Sequence, residues 1–300
     1  MPVTDSPLRY PGGKSQLAPL VIDILRSNRL LYGIYVEPFA GGSGLALKLL
    51  LNSLVSEIYI NDIDRSIYAL WHSVLNSTDE LCARVGKAKV HITEWRRQRA
   101  VQDARYSTLL DLGFSTLFMN RTNHSGIIRG GVIGGFDQNG PYKIDCRFRK
   151  GELIRKIERI SKYKPGIHLS RMDALQFLTK VVAKKVQGPA LVNLDPPYIR
   201  KGPELYQNHY TMDDHARLAK AVRGIKQYWM VTYDDTPEAR ALYVDFPSFT
   251  QELKYTAQIK RVGVELLVLD PRLDLPRSLS QVQRLAACKG KARGEGRRDL

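Results

Sequence analysis

The stretch Ala190-Leu191-Val192-Asn193-Leu194-Asp195-Pro196-Pro197-Tyr198 joins an apolar run to a polar tip. The apolar run predicts a buried strand. The two prolines have no N–H and keep the chain extended, so the carbonyls of Asp195 and Pro196 are not consumed by a helix. A carboxylate beside an outward-facing carbonyl is a pair of acceptors, which suits a planar amino group with two hydrogens to donate.

Tyr198 places an aromatic ring directly after this pair of acceptors. The face of that ring is a platform on which a nucleobase could stack. The alternative interpretation of the same tip is an ordinary Pro-Pro turn that closes a buried strand and binds nothing.

Strand-like runs alternate with helical patterns on both sides of this stretch. The strand-like runs cover 35–39, 57–61, 167–170, 190–194, 228–232 and 262–269. Apolar residues at helical spacing cover 43–51 and 213–225 and include Ile67, Leu70, Trp71 and Val74. This alternation predicts an α/β fold with a doubly wound sheet, whose ligands bind at the carboxyl ends of the strands. The tip at 195–198 lies at one of these ends.

A second signal follows the first strand, where Val36-Glu37-Pro38-Phe39-Ala40-Gly41-Gly42-Ser43-Gly44 reads as a strand, a glycine-rich turn and a helix start. Alone it fits an ordinary turn or a nucleotide loop, but the dehydrogenase pattern G-x-G-x-x-G and the Walker lysine are absent. Asp62, about 20 residues further on, ends the next strand and is placed to accept hydrogen bonds from ribose hydroxyls. The alternative role for Asp62 is a helix N-cap.

The charge of the chain points to a polyanionic partner. The 300 residues carry a net charge of +16, and 43% of them are hydrophobic. That length and apolar content suffice for one large α/β domain with an insertion or for two smaller domains. The charge favours nucleic acid first and an anionic membrane second, with solubility alone as the plainer explanation.

The three cysteines, Cys82, Cys146 and Cys288, lie far apart, and no CxxC or Cys/His cluster accompanies them. We therefore expect neither a disulfide framework nor a metal site. The amino terminus lacks the pattern of a signal peptide, and no run of 18 apolar residues follows. These features lead us to expect a soluble, cytoplasmic protein.

A third string, Pro7-Leu8-Arg9-Tyr10-Pro11-Gly12-Gly13-Lys14, precedes a helix expected to begin near Ser15. Its lysine can offer a charge to a carboxylate, and its tyrosine can pack on a ligand. Taken in order, the strings at 7–14, 37–44, 61–64 and 195–198 resemble the motifs of Dam-type (α-class) site-specific DNA adenine-N6 methyltransferases. The resemblance extends over about 7–270.

The resemblance implies a Rossmann-like S-adenosylmethionine-dependent methyltransferase sheet with an inserted, largely helical target-recognition domain. S-adenosylmethionine is then the methyl donor, and no metal takes part. The resemblance puts Tyr10 and Lys14 at the amino-acid end of the donor. It puts Phe39 and the glycine turn against the donor, Asp62 on its ribose and Asp173 near its adenine. One departure is visible, because the usual turn of the family is F-x-G-x-G and the fifth residue here is Ser43, followed by Gly44.

The chain divides, on this interpretation, into a catalytic domain at 1–75 and 166–275, an inserted recognition domain at 76–165 and a basic, disordered tail at 276–300. Within the insertion, Asn120, Arg121 and Arg129 are similar to the Asn-Arg…Gly…Arg stretch of the family's recognition domain. Asn and Arg side chains read base edges bidentately. A phosphate contact or a solvated face is the alternative for each arginine.

The expected reaction is methyl transfer to the N6 amino group of an adenine flipped out of a specific double-stranded DNA sequence. Asp195, which also contacts the donor, and the Pro196 carbonyl accept the two amino hydrogens, and Tyr198 stacks on the base. No covalent intermediate is needed. None of the cysteines follows a proline, which argues against cytosine-C5 chemistry.

Three other functions stay open at this point. The first is a different amino-group methylase, acting on cytosine N4, an RNA base or a protein glutamine. The second is a nucleotide-dependent oxidoreductase, and the third is a non-catalytic DNA-binding module on the same fold. A restriction-endonuclease counterpart is compatible with the family, but the chain carries no signal for one.

Overall fold

The computed structural model describes residues 4–9, 14–199, 210–255, 261–276, 279 and 283–284. Over these residues the strands form one sheet in the order β3-β2-β1-β4-β5-β7-β6-β8. β1 to β5 run parallel, whereas β7 is antiparallel to both β5 and β6, and β8 is antiparallel to β6. The strands are β1 Ile34–Glu37, β2 Glu57–Asn61, β3 Ile167–Ser170, β4 Ala190–Leu194, β5 Tyr228–Asp234, β6 Ser248–Tyr255, β7 Arg261–Leu269 and β8 Gln283–Arg284.

Helices connect the strands and cover both faces of the sheet. A short 3-10 turn at Lys14–Leu17 leads into the first of them, and a π-helical turn at Leu178–Val182 separates the eighth from the ninth. The described helices are α1 Ala18–Ser27, α2 Gly44–Leu51, α3 Arg65–Asn76, α4 Thr78–Lys87, α5 Ile92–Asp103, α6 Leu109–Thr122, α7 Lys150–Ser161, α8 Ala174–Phe177, α9 Ala183–Lys185, α10 Met212–Arg223 and α11 Pro237–Leu242.

The core lies in two layers, one on each face of the sheet. Successive residues of a strand point to opposite faces, so Leu191 of β4 belongs to one layer and Val192 to the other. α1, α2 and α3 cover the first layer, while α10 and the segment around α8 cover the second. The predicted doubly wound α/β sheet is therefore confirmed.

The strand order reverses between β1 and β4. β1 pairs with β2 on one side and with β4 on the other, and the chain crosses over between these two neighbours. In open parallel sheets, such a switch point leaves a crevice beyond the carboxyl ends of the strands. This crevice is where the polar strand ends of the sequence meet.

The strands β2, β3 and β4 have the bounds that the sequence predicts. β6 was not predicted, since Gln251, Glu252 and Lys254 interrupt its apolar residues. Its partner β7 was expected, and the two form an antiparallel pair from Ser248 to Tyr255.

The segment between α3 and β3 contains α4, α5, α6 and α7 and an irregular loop at 123–149. Its apolar side chains join the first core layer, where Trp95 and Phe118 belong to the same cluster as Leu17 and Leu47. The insertion is thus largely helical, as expected, and it shares a core with the sheet. The boundaries 76–165 stay a prediction.

Two further expectations concern the ends of the chain and the membrane. The structure forms the short strand β8 at Gln283–Arg284, inside the segment expected to be disordered, and residues 285–300 lie outside the described residues. None of the described helices has the length and apolar character needed to span a membrane.

Candidate active site

Four predicted acidic or aromatic positions meet at the carboxyl edge of the sheet. Phe39 follows β1, Asp62 follows β2, Asp173 follows β3 and Asp195 follows β4. These strands are parallel neighbours, so their ends face the same crevice. Tyr10 lies outside the described residues.

The glycine-rich turn is held by Asp62. Its Oδ2 accepts a hydrogen bond from the Gly41 N–H at 2.8 Å, and its Oδ1 accepts one from the Asp64 N–H at 2.9 Å. The N-cap of α3 is Asp64, whose carboxylate accepts from the Ser66 and Ile67 N–H groups. The N-cap alternative for Asp62 is therefore wrong, and its side chain instead shapes the loop that follows β1.

Ser43 explains how this chain departs from the glycine pattern of the turn. It has φ of +45°, and Gly41 has φ of +46°. Both residues are in the left-handed region, which costs glycine little and other residues more. Serine thus occupies a conformation that the usual glycine would adopt, and Trp71 Nε1 fixes the turn by donating to the Gly41 carbonyl at 3.0 Å.

Asn61 is a site residue that sequence reasoning missed. It is buried, and its Nδ2 donates to the Pro38 carbonyl at 3.0 Å and to the Met172 carbonyl at 2.9 Å. Its Oδ1 accepts from the Met172 N–H at 3.0 Å. It therefore ties the ends of β1 and β3 together. An amide at the end of an otherwise apolar strand is the signal that could have found it.

Asp195 lies beside a cation and a hydroxyl. Its Oδ1 accepts from Thr232 Oγ1 at 2.9 Å and lies 3.3 Å from Lys14 Nζ, while 29% of its side chain is exposed. Burial raises the pKa of the Asp195 carboxyl, and Lys14 opposes that rise. The carboxylate is thus held in place while part of it remains reachable from the crevice.

Lys14 makes three polar contacts within the protein. Its Nζ lies 2.6 Å from Glu265 Oε2, 3.0 Å from the Tyr198 hydroxyl and 3.3 Å from Asp195 Oδ1. Burial lowers the pKa of Lys14, but Asp195 and Glu265 more than offset this, so the pKa is raised. An ammonium group has three N–H donors. Three acceptors of the protein thus lie within 3.3 Å of the Lys14 ammonium.

Glu265 is the second residue that was missed. It lies on β7, is 2% exposed and accepts from the Tyr198 hydroxyl through Oε1 at 2.5 Å. A lone carboxylate in the apolar string Val262-Gly263-Val264-Glu265-Leu266-Leu267 was the available signal. A charge is rarely buried in a strand without a partner.

The crevice is rich in carboxyl groups. Burial raises the pKa of Glu37, at the end of β1, to about 8, and Asp195 adds to the rise. Burial also raises the pKa of Asp62 to about 7, although the backbone N–H groups of Asp64 and Gly41 oppose it. Such a site favours a ligand that brings positive charge and hydroxyl donors.

Asp173 lies beyond the carboxyl end of β3, and Phe39 lies beyond that of β1. Asp173 caps α8 by accepting from the Leu175 and Gln176 N–H groups at 2.9 and 3.3 Å. Phe39 packs edge-on against Tyr210, with ring centroids 5.7 Å apart. Tyr210, whose pKa is raised by burial and then by Asp173, is a neighbour that the sequence did not single out.

The profile of the D12 class N6 adenine-specific DNA methyltransferases matches residues 10–258. The chain belongs to this family. It is 24% identical over 238 residues to the Type II methyltransferase M.MjaIII of Methanocaldococcus jannaschii. The aligned region covers 73% of this chain and 79% of that protein.

Two solved structures share 12% identity and a TM-score of 0.32 with this D12-class chain. One is an rRNA methylase from Streptococcus thermophilus, matched over 84% of this chain and 96% of its own. The other is a dimethyladenosine transferase from Plasmodium falciparum, matched over 91% and 64% respectively.

As a D12-class enzyme, the protein methylates the N6 amino group of adenine in DNA, and S-adenosylmethionine is the methyl donor. The residues of the crevice fit that donor. Glu37 is buried and Asp62 is partly buried, and the raised pKa values of both carboxyls would fall again beside a cation. Among the described residues, no group of His, Cys, Asp and Glu is suited to hold a metal ion.

Two residues predicted to contact DNA are buried inside this D12-class enzyme. Asn120 is 1% exposed, accepts from the Arg9 N–H at 2.8 Å and donates to the Arg9 and Gly126 carbonyls. Arg121 is 8% exposed and donates from Nε and Nη2 to the Pro7 carbonyl. Their polar atoms hold the segment before Lys14, so we reassign both from DNA contact to support of that segment.

Arg129 is exposed, as a DNA-contacting residue must be. Its carbonyl accepts from Arg99 Nη2 at 3.0 Å. Asn123, fully buried, donates to the Ile127 and Ile128 carbonyls and so shapes the turn that leads to Arg129. Arg129 therefore lies at the end of a turn whose shape depends on the hydrogen bonds of Asn123, at the carboxyl end of α6.

A cavity of about 410 Å³ lies between the 7–9 segment and the loop of the insertion. Its lining includes Arg9, Arg147 and Tyr142. Burial and then Arg147 lower the pKa of Arg9, whose buried Nη1 has no hydrogen-bond partner among the described residues. A buried guanidinium nitrogen without an acceptor favours an incoming anion or carbonyl. Sequence reasoning had given Arg9 no separate role.

Proposed function

We propose that the enzyme acts on an adenine flipped out of a specific double-stranded DNA sequence, with Asp195, Pro196 and Tyr198 as the residues that meet the base. One observation carries this proposal. Asp195 lies at the switch point of the sheet, fixed by Thr232 and Lys14 and still 29% exposed. A preorganised acceptor in a crevice is what an amino group must meet before it can react.

Adenine N6 is a poor nucleophile, because its lone pair is delocalised into the ring. Asp195 Oδ and the Pro196 carbonyl accept the two amino hydrogens, which localises the lone pair on nitrogen and fixes its direction. Bound S-adenosylmethionine supplies an electrophilic sulfonium methyl group. Positioning and electrostatics then provide the catalysis, without a covalent enzyme intermediate.

Phe39, the glycine-rich turn, Asp62 and Asp173 are our candidates for holding the donor. Asp62 can accept from ribose hydroxyls with the lone pairs that Gly41 and Asp64 leave unused. Lys14 moves out of this group in our proposal, because its ammonium is matched by Glu265, Tyr198 and Asp195. Its role is to hold the catalytic carboxylate and aromatic.

The 76–165 segment is our candidate for target recognition, with Arg129 on its surface and the Arg9–Arg147 cavity beside it. The target atom is inaccessible inside a duplex, so the base must leave the stack and face Tyr198. Asn120 and Arg121 connect recognition to catalysis, because they tie the insertion to the segment that leads to Lys14. We also propose the Type II class, as the M. jannaschii relative is named.

The decisive experiment is the Asp195→Ala variant. We expect methylation of DNA adenine to fall by ~10²-fold or more, because a positioned acceptor is lost, while DNA affinity stays largely intact. Sequencing of N6-methylated adenines in DNA exposed to the enzyme gives both the product and the target site. Asp213→Ala, which removes an exposed carboxylate of α10, is the matched control and should keep full activity. Near-normal turnover of Asp195→Ala would exclude the proposed site.

A further inference from the structure

Glu265 lies in the middle of β7, opposite Asp234 of β5. Only 3% of its side chain is exposed, and the residues around it in the strand, Val264, Leu266 and Leu267, are apolar. Burying a carboxylate costs free energy unless other groups compensate for its lost hydration. The partners of Glu265 therefore indicate why a charge lies at this position.

Those partners are two residues of the catalytic crevice. Oε1 accepts from the Tyr198 hydroxyl at 2.5 Å, and Oε2 accepts from Lys14 Nζ at 2.6 Å. The same Lys14 Nζ lies 3.0 Å from the Tyr198 hydroxyl, so the three groups close a triangle. The third donor of Lys14 faces Asp195 Oδ1 at 3.3 Å.

We propose that Glu265 is a positioning residue for methyl transfer, which sets the place of Tyr198 and Lys14 before the base arrives. The inference rests on the proposed function, in which Asp195 and Tyr198 meet the adenine. Glu265 itself is too deeply buried to touch substrate. It acts through the aromatic ring on one side and through the ammonium on the other.

The neighbours of Glu265 hold the rest of the same tip. Thr232 donates to Asp195, and Asp234 Oδ1 accepts from the Ile199 N–H at 3.1 Å. Both belong to β5, which pairs with β7. Asp195, Tyr198 and the Ile199 N–H are thus tied to the neighbouring strands β5 and β7. A loop after two prolines would otherwise have several arrangements, and a displacement of about 1 Å costs on the order of 10²-fold in rate.

Glu265 also affects the charge of Asp195. Three groups shift the pKa of the Asp195 carboxyl beside burial, namely Lys14 from the amino-terminal segment, Glu265 from β7 and the Thr232 hydroxyl from β5. Glu37 of β1 also faces Asp195, whose charge raises the Glu37 pKa. Glu265 raises the Asp195 pKa directly by its negative charge. It also takes the shorter of the two ion pairs with Lys14. Glu265 therefore has two separable effects: its carboxylate holds the Tyr198 hydroxyl, and its negative charge acts on the pKa of Asp195.

The variants Glu265→Gln and Glu265→Asp separate the effect of position from the effect of charge. The amide keeps one acceptor for Tyr198 but loses the charge, so we expect kcat to fall by about 10–100-fold and the acid limb of its pH profile to move to lower pH. In Glu265→Asp the shorter side chain keeps the charge but no longer reaches the Tyr198 hydroxyl. We therefore expect a similar fall in kcat, with the acid limb of the pH profile at its wild-type pH. Binding of S-adenosylmethionine, measured by calorimetry, should change by less than about threefold, because Glu265 touches the donor in neither case.

Tyr198→Phe provides a test that leaves the side chain of Glu265 and its ion pair with Lys14 in place. It removes the hydroxyl that Glu265 holds but keeps the ring, and we expect kcat to fall as in Glu265→Asp. Combined with Glu265→Asp, its effect should be less than additive, since both changes remove the contact between Tyr198 and Glu265. Glu57→Gln is the matched control, because this strand carboxylate starts β2 at the opposite end of the sheet and should leave kcat unchanged.

The outcomes distinguish this inference from the proposed function. If Asp195→Ala is inactive while Glu265→Gln and Tyr198→Phe both keep wild-type kcat and pH profile, the positioning role is excluded and the site stands. If Asp195→Ala is itself active, the proposed site fails first. Should Glu265→Gln not fold, Tyr198→Phe decides alone, and a wild-type kcat there overturns the inference.

Discussion

Glu37 shows how a single residue of the crevice links proton binding to stability. Its carboxyl is 6% exposed, and its pKa is about 8 in the folded protein, compared with 4.5 for the free side chain. Burial is the main cause and the charge of Asp195 the second. The folded state therefore keeps a proton that the unfolded chain has released between about pH 4.5 and 8. The resulting stabilisation is fully present below pH 4.5 and is lost as the pH rises through 8.

Glu37→Gln should remove this dependence, because a neutral amide has no proton to lose. We expect the variant to become more stable relative to the wild type as the pH rises from about 5 to about 9. The difference in their free energies of unfolding should increase by on the order of a few kcal/mol. Urea titrations at several pH values measure the difference. Glu80→Gln, on the exposed side of α4, is the control and should follow the wild-type curve. Parallel curves for Glu37→Gln and wild type would contradict the prediction.

Single residues at strand ends were the most predictable part of the site. Asp62 and Asp195 follow apolar runs, and their roles depend on local strings. Glu265 was missed because its partner Lys14 lies 251 positions away, a separation that no local pattern records. Asn120 was misjudged for a different reason. An asparagine near arginine and glycine resembles a base-reading residue, and only its burial shows that it serves the backbone of Arg9.

At the scale of elements, the last turn of α6 supports an irregular segment. Asn120 makes three hydrogen bonds to the backbone, two with Arg9 and one with Gly126. Gly126 has φ of +79°, and a Cβ there would lie 2.2 Å from the Arg9 carbonyl oxygen. The end of α6, the turn at Gly126 and the 7–9 segment are therefore so closely packed that a side chain at Gly126 would clash with the Arg9 carbonyl.

Asn120→Ala should loosen this assembly. Because it leaves buried backbone groups without partners, we expect it to destabilise the fold by about 1–3 kcal/mol or somewhat more. Activity should fall as well, since the 7–9 segment leads to Lys14. Thermal unfolding and kcat measure the two effects. Asn76→Ala, at the exposed carboxyl end of α3, is the matched control. Wild-type stability with altered sequence preference would instead restore Asn120 as a base-reading residue.

The helix α7 was predicted from its sequence pattern, and the strand β6 was not. α7 was expected from the apolar positions Leu153, Ile154, Ile157 and Ile160, and the structure buries three of these side chains. β6 has no comparable signal, because its apolar residues alternate with polar and charged ones. Its existence depends on pairing with β7, and that pairing is a tertiary interaction.

The whole molecule carries a net charge of +16. We expect this charge to attract any DNA, whereas the recognition residues distinguish one DNA sequence from another. Arg129 is exposed at the end of a turn that buried Asn123 shapes. Arg96 is exposed on α5, where its guanidinium lies 5.8 Å from the Phe136 ring centroid. We expect the first to read sequence and the second to contribute to general attraction of the phosphate backbone.

Arg129→Ala and Arg96→Ala test this division. Arg129→Ala should cost about 1–3 kcal/mol for the preferred duplex and much less for duplexes with one base changed. Arg96→Ala should weaken all duplexes alike and reduce the slope of log K against log salt by roughly one unit. Binding titrations with cognate and single-base variant duplexes at several salt concentrations measure both. Equal weakening of every duplex by Arg129→Ala would make it a phosphate contact.

Strand and helix alternation was enough to predict the architecture of the whole molecule. It was not enough to predict how the insertion is attached. Trp95 and Phe118 of the insertion lie in one apolar cluster with Leu17 and Leu47 of the catalytic part, so the two parts share a core. Such sharing depends on which faces meet in space, and the period of a helix shows only that it has an apolar face.

The place of β7 has a consequence for the order in which the enzyme becomes competent. β7 lies between β5 and β6 in the sheet, although it follows both in the chain. Ribosomes release the chain from its amino end, so Lys14, Arg129 and Asp195 have all emerged before Glu265 is made. A nascent chain can therefore expose its basic residues before β7 takes its place between β5 and β6. Only then does the tip after β4 acquire the contacts of Glu265 with Tyr198 and Lys14, so methyl transfer depends on β7 having been made.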